Sequence, residues 1–235
     1  MNIMKRFIIL TVCILTVCIL FGCHKSNVHK TNLVQITEEI YHLNNAGTLI
    51  ISNDSITPRI LPSLDLAKVT PYTPIDSVAF TLQGESYKVV LSRFNGWDNE
   101  PGVYDVFTIY CQNQKILEWK DYDSWIKTPD SLRALFAVPN EYFQIYSMAN
   151  GLNAIILEGY SYCNLPPMLT IIILKQGSAH VVYNSADKYL IRDVTVLPDG
   201  YFEIELHDAV PSGDPNYNPN VYYLKATPSG MGLYK

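Results

Sequence analysis

Residues 169–184 read LTIIILKQGSAHVVYN, and this stretch predicts two strands joined by a tight turn. The unbroken apolar run Ile171–Leu174 is typical of a strand that is covered on both faces of its sheet. In Gln176-Gly177-Ser178, the glycine stands where a hairpin turn needs a positive φ. We therefore predict an antiparallel hairpin whose first strand lies in the interior of a sheet.

The same pattern continues along most of the chain. Short β-branched or aromatic runs are bounded by Gly, Pro, Asn or Asp, and further hairpin turns are expected at Gln83-Gly84-Glu85 and Pro198-Asp199-Gly200. The fold class is therefore mostly β, an antiparallel meander or sandwich of about a dozen short strands. A small propeller-like array would also fit, although no period of about 40–50 residues supports it. The predicted strands are Gly47–Ser52, Ser77–Gln83, Ser86–Phe94, Val103–Cys111, Lys115–Trp119, Glu141–Met148, Ala154–Tyr162, Leu169–Lys175, Ala179–Asn184, Tyr189–Leu197, Tyr201–His207 and Val221–Ala226.

One or two short helices are expected beside these strands. Ile36–Leu43 places apolar residues at helical spacing, which predicts one or two helical turns. A second helix is expected to start at Thr128, a suitable N-cap, with Pro129 in the first position. Pro139 ends it.

The N-terminus carries a targeting signal. Lys5 and Arg6 precede an apolar run of about fifteen residues, which is shorter than the roughly 20 residues of a membrane-spanning helix. Gly22 and Cys23 follow directly. This arrangement resembles a bacterial lipoprotein signal, which ends in a small residue before a lipidated cysteine. Phe21 departs from that pattern, because Ala or Ser is usual there.

The resemblance implies a domain organisation and a location. Residues 1–22 would be a removed signal peptide, Cys23 would carry the lipid, residues 23–35 would form a lipidated polar tether, and residues 36–235 would form a single β-rich globular domain. An uncleaved anchor and ordinary cleavage remain as alternatives. The relaxed signal and the Tyr- and Asn-rich mature part resemble Bacteroides-type lipoproteins. In this resemblance, His24 in place of aspartate implies the outer membrane, and the lack of an acidic tract after Cys23 implies its periplasmic face.

Charge and cysteine content agree with the cell envelope. The formal net charge is −5, and removal of Lys5 and Arg6 with the signal makes it −7. An acidic chain without a basic stripe does not predict nucleic-acid binding. In the mature part, Cys111 and Cys163 either form a disulfide, worth about 4 kcal/mol by loop closure, or remain two buried thiols.

Two regions have residues suited to ligand binding. Around residue 100, aromatic side chains that can stack on sugars alternate with carboxylates that can accept hydroxyl hydrogen bonds, and Asp105 lies next to them. A Pro- and Asn-rich loop near residue 215 alternates oxygen donors, but it has Pro219 and Lys225 where a calcium loop needs glycine and glutamate. We therefore predict a surface loop stiffened by its prolines, with contact to a ligand or weak binding of a cation as the alternative. The candidate ligand-binding residues are Trp97, Asp98, Glu100, Tyr104, Asp214, Asn216 and Asn218.

No motif for catalysis, metal binding or a cofactor stands out. The chain has no Gly-x-Ser-x-Gly elbow, and its five histidines lack the spacing of a zinc site. Glu203 and Glu205 share one strand face, but such pairs are ordinary on solvent-facing strands. We therefore predict no catalytic or metal-binding residue and no cofactor.

Three classes of function remain open. The favoured one is a non-catalytic binding or assembly module of the cell envelope, whose partner is the membrane through the lipid anchor and an envelope protein or a glycan. The second is a periplasmic protein that binds or processes glycans. The third is an inhibitor or immunity-type lipoprotein, which would show one acidic, aromatic-rimmed face to a basic target.

Overall fold

The computed structural model describes residues 33–36, 39–52, 56, 72–94, 105–121, 124–125, 138–139, 142–160, 167–185, 188–208 and 218–235. The signal peptide, most of the tether and most of the helix predicted from Thr128 lie outside these residues.

The described residues are mostly β, as predicted, and form antiparallel strands. Each of the twelve predicted strands overlaps a strand of the structure, and the described residues contain no helix. Sixteen strands lie within the described ranges, namely β1 Tyr41–Leu43, β2 Leu49–Ile51, β3 Tyr72–Leu82, β4 Glu85–Phe94, β5 Asp105–Cys111, β6 Gln114–Asp121, β7 Ser124–Trp125, β8 Val138–Pro139, β9 Phe143–Ser147, β10 Asn153–Tyr160, β11 Pro167–Lys175, β12 Ser178–Ser185, β13 Tyr189–Val196, β14 Phe202–Asp208, β15 Val221–Thr227 and β16 Gly230–Tyr234.

The strands form three sheets of meander type. Sheet I has the order β3-β4-β5-β6. Sheet II has the order β12-β11-β10-β9-β8, with β7 also paired to β10. Sheet III has the order β13-β14-β15-β16-β1-β2, so the N-terminal strands extend the C-terminal sheet.

Sheet II lies between two hydrophobic clusters. Ile171 and Ile173 of β11 belong to a cluster shared with sheet III, which we call the II–III cluster. Ile172 and Leu174 belong to a cluster shared with sheet I, the I–II cluster. All four side chains are at most 1% exposed. The apolar run of β11 is thus buried on both faces because alternate residues of a strand point to opposite sides, which confirms the prediction of an interior strand.

The predicted turns are confirmed by their backbone angles. Gln83-Gly84 has φ values of 51° and 83°, and Gln176-Gly177 has 42° and 74°. Two consecutive positive φ values are what a type I′ hairpin requires. Gly200 also has a positive φ, 80°. A similar turn at Gln112-Asn113, with φ values of 50° and 66°, was not predicted because it contains no glycine.

The predicted helix over Ile36–Leu43 is wrong at its C-terminal end. Tyr41–Leu43 forms β1, which pairs with β2 on one side and with β16 on the other. Tyr41 is completely buried in the II–III cluster. Pairing and burial therefore override a local helical spacing that offers only two turns. The partner strand β16 was missed because its two glycines weaken a strand pattern.

Candidate functional site

One edge strand of each sheet borders a cleft of about 260 Å³. β2 is the edge of sheet III, β6 is the edge of sheet I and β12 is the edge of sheet II. We call this feature the edge cleft. Its described lining residues are Ile51, Ile56, Leu117, Trp119, Ala179, His180 and Val181.

The edge cleft lies along β12, with β6 of sheet I on one side and β2 of sheet III on the other. On one side, Leu117 and Trp119 of β6 pack with Ala179 and Val181 in the I–II cluster. On the other side, Ile51 of β2 packs in the II–III cluster. A hydrogen bond from the Lys175 ammonium to the carbonyl of Gly47 ties the β11–β12 turn to the β1–β2 turn. The edge of the middle sheet thus lies between walls from the two outer sheets.

The lining of the edge cleft is apolar apart from two nitrogen-bearing side chains. Trp119 is 6% exposed, and its indole Nε1–H is buried without a hydrogen-bond acceptor among the described residues. A buried donor that lacks an acceptor costs about 1–3 kcal/mol. His180 is exposed, and it is the only described lining residue with an ionisable side chain. Ligand pockets typically combine apolar walls with a few such polar groups.

For most of the predicted site residues, the position relative to the edge cleft stays untested. Asn218 is described, and it is exposed in the segment that leads into β15. The other candidates stay predictions because they lie outside the described residues, namely Cys23, Trp97, Asp98, Glu100, Tyr104, Cys163, Asp214 and Asn216.

Asp105 does not offer its carboxylate to a sugar. It is completely buried and binds Arg93 through two hydrogen bonds, Nε–Oδ1 and Nη2–Oδ2, each of 3.0 Å. These hydrogen bonds raise the pKa of Arg93 above its ordinary value. The guanidinium also lies over the ring of Tyr142, 5.9 Å from its centroid. Asp105 therefore joins adjacent strands of sheet I as a structural ion pair.

Glu203 and Glu205 each have a partner of their own. Glu203 lies 3.5 Å from the Lys225 ammonium, and Glu205 lies 2.6 Å from Nε2 of His207. Burial, followed by the charges of Glu205 and Glu203, raises the pKa of the neighbouring Tyr223. Glu203 and Glu205 thus follow the ordinary pattern of paired charges on a sheet surface.

Cys111 is buried, and its proposed partner Cys163 lies outside the described residues, so the choice between a disulfide and two separate thiols stays a prediction. The sulfur is 3.8 Å from Oε2 of Glu85. Burial and then the charge of Glu85 raise the pKa of the thiol, which disfavours a reactive thiolate. Tyr87 donates to the same carboxylate at 2.9 Å and accepts the Gly177 amide at 2.7 Å. This polar cluster links β4 to the β11–β12 turn.

The carboxyl of Glu158 should make the stability of the protein depend on pH. Desolvation raises the pKa of its carboxyl above the ordinary value. The folded state therefore binds the proton more tightly than the unfolded state. As pH rises from the unfolded pKa of Glu158 through its folded pKa, the protein loses free energy of unfolding. We expect Glu158→Gln to raise the Tm at pH 7, and the gain to vanish near pH 4, roughly the unfolded pKa of glutamate. Thermal unfolding at both pH values measures this.

Glu118 is the matched control for Glu158. The hydrogen bond from Lys115 lowers the pKa of its carboxyl, so its contribution to stability is lost as pH falls. Glu118→Gln should therefore lower the Tm slightly at pH 7 and leave it unchanged in acid. Equal pH responses of the two variants would contradict the burial of Glu158.

The described residues show neither a metal-binding cluster nor a membrane-spanning helix. Among the described residues, no group of three or more His, Cys, Asp or Glu side chains is arranged to hold a metal ion. In the same part of the chain, no helix has the length and apolar character needed to cross a bilayer. No protein family, no curated protein and no solved structure matches this chain.

Proposed function

We propose that this protein is a lipid-anchored component of the cell envelope that binds a partner protein without catalysing a reaction. The edge cleft is its binding site, and it receives an apolar side chain from the partner. The observation that carries this proposal is the meeting of three sheet edges around an apolar cleft.

The chemistry of the cleft favours a peptide ligand. Leu117, Trp119 and Val181 provide apolar walls for an aliphatic or aromatic side chain. The strands β6 and β12 are also sheet edges, and backbone groups at such edges are the usual means of capturing extended chains.

The same residues argue against the other two classes of function. No described residue of the edge cleft carries a carboxylate or an amide side chain, the groups that hold sugar hydroxyls. An inhibitor of a basic target would need acidic groups at its binding site, and none of the described lining residues of the edge cleft is acidic.

A photo-crosslinking amino acid in place of His180 tests the site, because this side chain is exposed at the cleft. In the intact envelope, we expect a discrete protein adduct whose crosslinked segment is apolar. A synthetic peptide of that segment should then bind the purified protein. Leu117→Asp should weaken that binding about tenfold or more, since burial of a leucine is worth about 1.5–3 kcal/mol.

The matched control carries the same crosslinker at Thr195, which is exposed on β13 in sheet III. Leu117→Met should bind the peptide nearly as well as the natural protein, because it conserves apolar volume. Equal adducts from both crosslinker positions would contradict the proposal. So would peptide binding that is unchanged by Leu117→Asp in a folded variant.

Lipidation is tested separately. Labelled palmitate should enter the natural protein and should not enter Cys23→Ala. Equal labelling of the two proteins would refute the anchor without bearing on the edge cleft.

A further inference from the structure

The residues at the end of the predicted tether and just after it expose two apolar side chains. Val34 is 65% exposed and Ile36 is 42% exposed. Their backbone is nevertheless fixed: Val34 and Lys235 exchange two hydrogen bonds of 3.0 Å, and the Ile36 amide donates to Leu233 at 3.0 Å. Their exposure is therefore a property of an ordered part of sheet III.

Val34 and Ile36 point to the same side of this segment. Gln35 pairs with Tyr234, and its side-chain nitrogen lies over Gly232 on the face of the sheet that carries Tyr234. Since alternate residues of an extended chain point to opposite sides, Val34 and Ile36 both point away from that face. They form a small apolar pair, which we call the Val34–Ile36 pair.

The residues between Cys23 and Val34 limit how far this pair can lie from a membrane. Ten residues, 24–33, separate Cys23 from Val34, and an extended chain of that length spans at most about 35 Å. These residues include Lys25 and Lys30 and no acidic residue. Anionic headgroups attract basic residues beside a membrane, by about 1 kcal/mol for each lysine. Chain length thus keeps this edge of sheet III within reach of the membrane, and the two lysines favour a surface with anionic headgroups.

We infer that the Val34–Ile36 pair rests on the phospholipid surface to which the protein is anchored. This inference rests on the lipidation proposed above. Contact with lipid removes the two exposed apolar side chains from water, which is favourable in proportion to their buried area. The contact also fixes which edge of the domain faces the membrane.

Tryptophan quenching in vesicles tests this orientation. The lipidated Val34→Trp protein is reconstituted in phosphatidylcholine–phosphatidylglycerol vesicles whose acyl chains are brominated, and its emission is compared with that of the natural protein. We expect the lipid to quench most of the added emission. Val196→Trp is the matched control, because Val196 is a 37% exposed valine on β13, the opposite edge of the same sheet. Its added emission should stay largely unquenched.

A second variant shows whether the side chains themselves make the contact. Adding Ile36→Glu to Val34→Trp should reduce the quenching, because a carboxylate resists transfer from water. Equal quenching of Val34→Trp and Val196→Trp would overturn the inference. If the natural protein takes up no palmitate, the anchor is refuted instead, and if it takes up palmitate but Val34→Trp is not quenched, the orientation alone is refuted.

Discussion

We expect Arg93→Gln to lower the free energy of unfolding by about 3–5 kcal/mol. The substitution removes the guanidinium that binds Asp105 through two hydrogen bonds, and Asp105 is completely buried. Removing one member of a buried ion pair takes the counter-charge away from the other, which is the reason for an effect of this size. The contact of Arg93 with the Tyr142 ring is lost as well. Urea-induced unfolding at pH 7 measures the change.

Two controls separate charge burial from a general loss of contacts. The double variant Arg93→Met with Asp105→Leu should recover much of the loss, because apolar residues that replace both partners leave no buried charge. Lys115→Gln breaks an exposed ion pair with Glu118 and should lower the free energy of unfolding by less than about 1 kcal/mol. A loss in the double variant as large as that in Arg93→Gln would contradict this role of the ion pair.

The sequence predicts the strands better than their assembly. The apolar run of β11 and the glycine turns are local signals, because a buried run and a positive φ depend on neighbouring residues. β1 fails this test. Its partner β16 lies at the other end of the chain, and the pairing of Tyr41 with Met231 decides its structure.

The edge cleft was not predicted, and the reason is physical. Its walls come from β2, β6 and β12, which are far apart in the sequence and meet only when three sheets stack. Its lining side chains are ordinary apolar residues that also serve as core. One signal was available in principle: Trp119 places a polar N–H on a predicted strand, and a buried indole usually finds a partner. That this N–H has no acceptor among the described residues is visible only in the structure.

The pairing of β1 with β16 leads to the second large effect. We expect Gly230→Ala to release β1 and β2 from sheet III and to cost about 3 kcal/mol of stability. A Cβ at residue 230 would overlap the carbonyl oxygen of Tyr41 and would lie 2.9 Å from Cα of His42. Both atoms belong to the backbone of β1, so a side-chain movement cannot relieve the overlap. Limited proteolysis should cut the variant within residues 39–52 faster than the natural protein, and its Tm should fall.

Gly232→Ala provides the control, because it adds the same methyl group two residues further along β16. There the nearest atoms belong to the side chains of Tyr234 and Gln35, at 3.1–3.3 Å, and they can shift. We expect a change below about 1 kcal/mol and no new cleavage near β1. If both variants were equally stable and equally resistant to proteolysis, β1 would not approach β16 as closely as described.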